Sequence, residues 1–185
     1  MTAITSTSQS TIPAGSTWVV DKVHSTVGFA VKHMVVSTFR SRFEDFDATL
    51  TANEDGTLQL EGSVKADSVA IKDPQLAGHV HAEDFFDVDN HPEITFSSTL
   101  VRAGDGELIV DGELTIKGKT LPLQARGTIT EPLETLGGYV KTGITLETTV
   151  DRTAYDMSWN APLPKGGFAL ANDVTLVVDL EFTQA

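Results

Sequence analysis

The sequence contains no cysteine, and that single absence excludes disulfides, thiolate metal sites, iron–sulfur clusters and cysteine nucleophiles. Basic charge is scarce: 13 Lys and Arg stand against 26 Asp and Glu, a formal net charge of −13. Such a balance opposes binding to a polyphosphate backbone unless the cations cluster, and Arg40 with Arg42 is the nearest approach to a cluster. No nucleic-acid partner is expected. Long apolar runs are missing too. Residues 1–17, MTAITSTSQSTIPAGST, show neither the basic start nor the apolar stretch of a secretion signal, and no run fit to span a bilayer, so no membrane insertion is expected. Their Ser/Thr richness predicts a flexible N-terminal arm, with one folded domain over residues 18–185. A chain of 185 residues buries about 70% of its unfolded surface and needs no covalent staple.

What the sequence does have is alternation. Val23, Ser25, Val27, Phe29, Val31 and His33 share one face of a strand, and Phe46, Ala48 and Leu50 lead to an Asp55-Gly56 turn, a strong hairpin signal. The same period of two runs through Leu58–Ala66, Ile94–Leu100, Leu108–Ile116, Leu121–Ile129, Val140–Val150 and Val174–Phe182, which makes eight strands. Short connections favour an antiparallel meander, and closure into a barrel removes its exposed edges. The fold class predicted is therefore all-β: a single eight-stranded antiparallel barrel, wide enough to be plugged by its own side chains or to hold one small ligand. Gly28, Gly62, Gly112 and Gly127 fall inside the strands, marking either barrel curvature or a cavity lined by small residues.

Only Lys72–Pro92 breaks the rhythm. Asp73-Pro74 reads as an N-cap followed by proline at the first helical position, and predicts a short helix over about 74–82. Phe85-Phe86 follows, bracketed by Asp84 and Asp87. An extended segment would send one ring to each side, leaving a plug for one barrel end and a ligand-facing ring both open. A second irregular stretch, YDMSWNAPLPKGGFAL over 155–170, holds more aromatics. His24-Ser25 does not make a nucleophile pair, because strand neighbours point to opposite faces, and no Gly-x-Ser-x-Gly elbow is present. His79, His81 and His91 are the best metal-ligand candidates, although residues two apart on a helix do not share a face.

These motifs, taken in order, resemble the YceI-like family of bacterial lipid-binding proteins. The matching pieces are WVVDKVHS from Trp18 with Val27, Phe29, Val31 and Lys32-His33; His79 ahead of Asp84-Phe85-Phe86-Asp87-Val88; HPEITFSS from His91; DGELTIKG from Asp111; and Asp151-Arg152, Tyr155, Trp159-Asn160 and Asn172-Asp173-Val174. Leu76 and Ala77 stand where the family carries an Arg-Asp pair. The resemblance implies a lipocalin-like barrel with a long apolar interior that binds an isoprenoid-type or other amphiphilic lipid, commonly as a homodimer, without catalysis and without a cofactor. Relatives often carry secretion leaders, so a cytoplasmic location is expected here.

On that basis Phe29, Phe43, Phe46, Phe85, Phe86, Trp159 and Phe168 are expected to line or gate the interior, with His24, His33 and His79 as polar contacts near a head group. His24 and His33 differ in parity, so both face inward only if Gly28 allows a bulge. Two rival functions stand beside a lipid carrier or sensor. One is a metal-dependent hydrolase or isomerase using His79, His81 and His91. The other is a ligand-free, stress-related interaction protein.

Overall fold

The computed structural model describes residues 11–185. Most of the arm expected over residues 1–17 lies outside the described residues. Within the part described, Ile12 is buried in the core, and the first strand begins at Ser16, ahead of Trp18.

The strands are β1 (Ser16–Val20), β2 (Thr26–His33), β3 (Ser37–Phe43), β4 (Phe46–Ala52) and β5 (Leu58–Lys65). Helix α1 (Pro74–His81) follows. Then come β6 (Glu93–Gly104), β7 (Glu107–Ile116), β8 (Lys119–Ile129), β9 (Leu133–Glu134), β10 (Val140–Asp151) and β11 (Leu170–Gln184). All pair antiparallel. The circuit β11–β1–β4–β5–β6–β7–β8–β10 closes on itself through the β10–β11 ladder, giving the eight-stranded barrel expected.

β11 is the spine of this circuit. One edge pairs with β10 from Asp173 to Thr183, while the other pairs with β2 over Val174–Asp179 and with β1 over Phe182–Gln184. β1 and β2 are thus two halves of one strand interrupted at residues 21–25. β3 and β4 are likewise halves of the next, broken at Glu44-Asp45, and the β2–β3 hairpin carries the wall upward at one end. β1, β3 and the two-residue β9 do not emerge from the alternation count, which reaches eight because it takes only one half of each interrupted pair, β2 and β4.

α1 begins where its cap dictates. The Asp73 carboxylate accepts a hydrogen bond from Leu76 N–H at 2.8 Å, and Pro74 occupies the first turn, where its missing N–H costs nothing. Curvature is set largely at Gly127. A Cβ there would sit 1.8 Å from the Thr145 carbonyl oxygen, so only glycine lets β8 approach β10 this closely.

The interior is divided. Around β1, Trp18, Leu50, Leu108, Val110, Ile144 and Phe182 are all but fully buried and form a solid core. Each contributes about 1.5–3 kcal/mol of burial, and the Trp18 indole N–H is satisfied by Ser16 Oγ at 2.8 Å. The half nearer α1 is hollow.

Candidate functional site

The hollow half contains a cavity of about 590 Å³. Its wall is built from the inward parity of the strands: Val27, Phe29 and Val31 on β2, Leu60 and Val64 on β5, Leu114 and Ile116 on β7, Leu123 and Ala125 on β8, and Leu146 and Val150 on β10. Val174, Leu176 and Val178 on β11 complete it. The roof is α1, through Leu76, His79 and Val80, together with Phe85 and Phe86.

Both phenylalanines face the cavity because their segment is not extended. Phe85 N–H donates to Ala82 O at 3.0 Å, Phe86 N–H to Val80 O at 3.1 Å, and Asp87 takes a positive φ of 51°. The chain hooks back under the helix and delivers two adjacent rings to one side. Phe86 meets Phe43 edge-on at 5.8 Å, and Phe43 meets Phe29 at 5.8 Å, so an aromatic row runs from the roof down one wall. Phe85, His79 and Trp159 form a second group, with His79 edge-on to Phe85 at 5.0 Å and to Trp159 at 4.9 Å. Aromatic packing of this kind seals an end while leaving movable side chains.

The structure brings Phe29, Phe43, Phe85, Phe86, Trp159, His33 and His79 to the cavity. It does not bring Phe46, Phe168 or His24 there. Phe46 lies opposite Val64 in the β4–β5 ladder, buried in the core but outside the cavity lining. Phe168, 61% exposed, sits in the loop before β11, bridged to Pro162, and faces outward. His24 precedes β2, so strand parity does not govern it; its Nδ1 lies on the outside, 3.0 Å from Asp21 Oδ2. No bulge at Gly28 is needed, since β2 pairs with β3 in unbroken register.

Two lining features escape the sequence reasoning. Phe39 on β3 extends the aromatic row, with its ring 6.2 Å from Phe29. The signal was the alternation Phe39, Ser41, Phe43 against Arg40 and Arg42 on the outer face. The other is Arg152, only 3% exposed at the end of β10. Its Nε donates to Ala171 O at 2.8 Å, and its remaining nitrogens donate to Met157 O, Leu170 O and Asn172 Oδ1. Among the described residues no carboxylate oxygen lies within 4 Å of the guanidinium, and burial pushes its pKa down. Arg152 therefore pins the 152–157 turn to the start of β11 and leaves a buried cation in the cavity lining.

The histidines of the metal reading do not converge. His79 Nε2 faces Asp84 Oδ2 at 3.7 Å, His91 Nε2 faces Asp87 Oδ2 at 3.8 Å, and His81 Nε2 is buried without a hydrogen-bond partner. Among the described residues the one group of three side chains with metal-ligand spacing is Asp21, His24 and Glu181. Lys141 already supplies its cation, with Nζ 2.8 Å from Asp21 and hydrogen-bonded to Glu181. Lys141, and then His24, hold the Asp21 carboxyl far below the usual carboxylate range, and the two carboxylates push Lys141 upward. This is a staple joining the β1–β2 break to β10 and β11.

The site is thus a largely apolar chamber inside a closed antiparallel barrel, roofed by a short helix and aromatic rings, with His33, His79 and Arg152 among its lining. That defines a barrel-type binding fold. The chain belongs to the YceI-like family: the model of the YceI-like domain matches residues 18–182. It is 31% identical over 169 residues to a UPF0312 protein of Staphylococcus aureus strain USA300, covering 88% of this chain and 95% of that protein. Among solved structures it superposes on BcnA of Burkholderia cenocepacia with a TM-score of 0.74 at 22% identity, covering 88% of this chain and 98% of that one. It also superposes on a polyisoprenoid binding domain from Saccharophagus degradans, with a TM-score of 0.63 at 10% identity, covering 91% and 98%.

Proposed function

We propose that this protein encloses the hydrocarbon part of an isoprenoid-type or other amphiphilic lipid and holds it away from water, as a carrier or store that leaves the lipid chemically unchanged. The observation that carries this reading is the 590 Å³ chamber, walled largely by aliphatic and aromatic side chains with His33, His79 and Arg152 among its lining. Burial is worth ~0.8 kcal/mol per methylene, so roughly ten methylenes supply about 8 kcal/mol before the cost of immobilising the chain. Few hydrogen bonds are needed, and the polar groups of the lining suffice to orient a head group. The polyisoprenoid binding domain that shares the fold supports the prenyl class over other hydrocarbons.

The deciding experiment is mass spectrometry of an organic extract from gently purified protein, paired with the melting temperature after adding prenyl lipids. A prenyl or fatty chain near one per protein, and a rise in Tm with added lipid, are expected, because a ligand of the native state must stabilise it. An empty extract together with a Tm indifferent to every prenyl lipid would refute the proposal.

A further inference from the structure

The turn between β2 and β3 is built from the wrong residues for its shape. Val36 N–H donates to His33 O at 3.2 Å, and both central residues, Met34 and Val35, have positive φ, 51° and 65°. The β6–β7 and β7–β8 turns have the same pair of left-handed residues, but there the second is glycine, Gly106 and Gly118. Asn-Gly or Asp-Gly is the ordinary solution, and a β-branched residue at positive φ is an outlier. The tip is also exposed: Val35 is 69% and Val36 84% accessible. Strain and exposed apolar surface at one spot both oppose folding and solubility, and that coincidence points to a use.

The position of the turn says what the use is. His33 and Ser37, on either side of it, are exposed and line the cavity, so the cavity reaches solvent beside the tip. The loop before β11 abuts it. A Cβ on Gly167 would lie 3.6 Å from Val35 Cγ2, and Phe168 adds a further exposed ring. Charge is segregated in the same way. Residues 26–43 and 157–172 contain Lys32, Arg40, Arg42 and Lys165 and no Asp or Glu, in a chain with 26 acids. Acids border the patch at Glu44, 3.8 Å from Arg42, at Asp151, which is occupied in capping Thr153, and at Asp173, which with Asp151 lines the same hollow as Lys32, Val35 and Phe168. Exposed aliphatic and aromatic tips with Lys32 and Lys165 near them and Arg40 further along the hairpin, on an otherwise anionic protein, match a surface that is apolar a few ångströms down and negative at its face.

We propose that the Met34-Val35-Val36 turn and the Phe168 loop dock this protein on an anionic lipid bilayer, seating the open end of the cavity against the membrane so that the guest crosses without meeting water. The contact is peripheral. It rests on the lipid-carrier reading for its purpose, though not for its existence.

The test is flotation of the full chain with vesicles of phosphatidylcholine plus phosphatidylglycerol, and with vesicles of phosphatidylcholine alone. The parent binds the anionic vesicles more strongly. Replacing the tip by M34N/V35G installs the residues the turn prefers, so the variant melts at or above the parent temperature, yet its vesicle affinity falls about ten-fold. Phe168→Ser, in the other loop, weakens vesicle binding independently. Failure of the parent to float overturns the proposal, as does undiminished binding by both variants, and equal binding to neutral vesicles removes the role assigned to the cations. A parent that sediments as a dimer, becomes monomeric in M34N/V35G and ignores vesicles would show that a second copy covers this surface. Uptake of a prenyl alcohol delivered from cyclodextrin separates the two ideas. Uptake without flotation defeats docking alone, and flotation without uptake defeats the carrier reading alone.

Discussion

Ala125, where the solid core meets the chamber, tests directly whether the chamber is open space. It lies on β8 with its methyl directed into the cavity, opposite Val110 in the β7 ladder, and is only 6% exposed. Ala125→Leu adds the equivalent of three methylenes, worth ~0.8 kcal/mol each on burial, or about 2.4 kcal/mol in all. In a filled core that bulk costs about 1–3 kcal/mol through displaced neighbours, whereas in an open chamber most of the burial gain survives. The lipid-free variant should therefore be more stable by about 2 kcal/mol, which raises Tm by roughly 4–8 °C for a domain of this size. The same three groups occupy space that a guest would use, so prenyl-lipid affinity should fall by about 2.4 kcal/mol, roughly 50-fold. Opposite signs in the two measurements, differential scanning calorimetry of delipidated protein and lipid titration, are the signature of a chamber built for a guest. A variant that melts lower than the parent would mean that the space is not available, and the reasoning would fail.

Phe86→Ala opens the aromatic row at the roof, and is expected to speed lipid release about ten-fold while costing only ~1–2 kcal/mol of stability, since the ring is partly buried; equal damage to retention and to folding would make it a simple plug. At Gly127, alanine must displace the Thr145 carbonyl from 1.8 Å, so Gly127→Ala should destabilise by about 3 kcal/mol and lower Tm by roughly 6–12 °C, and an unchanged melt would show that β8 and β10 can part freely. Lys141→Met removes the cation that depresses the Asp21 carboxyl. A carboxyl held low in the folded state stabilises fully above about pH 4, the ordinary aspartate value, and loses that contribution as the pH falls toward the folded-state value. The variant should melt below the parent at pH 7, with the gap closing in acid. A gap independent of pH would show that the staple is not electrostatic.

The barrel itself was legible because period-two alternation is a direct imprint of a wall with one apolar face. The helix was legible because Asp73 and Pro74 act locally: the expected span of 74–82 differs by one residue from the observed Pro74–His81. What failed were inferences that depend on distant parts of the chain. β3 was missed because its turn, Met34-Val35, carries no glycine or asparagine to announce it. Phe46 and Phe168 are aromatic like the true lining residues, but Phe46 packs into the core and Phe168 faces outward. Seven of the ten expected lining residues do reach the chamber, and those on strands do so by parity. Phe85 and Phe86 do so for a reason invisible in a linear pattern, the backward hook that cancels the alternation of an extended chain. Arg152 stands in a matching motif, but its task is not legible in a linear pattern, because the fold alone brings the Met157, Leu170 and Ala171 carbonyls and the Asn172 side chain to it.

The uneven filling of the interior gives the molecule a stem and a cup. Trp18, Phe182 and their neighbours hold the stem together whatever the cup contains, so amides of β1 and β4 should be the slowest to exchange with deuterium while those of the roof exchange early. Selection, or a protein engineer, can then resize the cup side chain by side chain and change its guest without having to re-solve the folding problem.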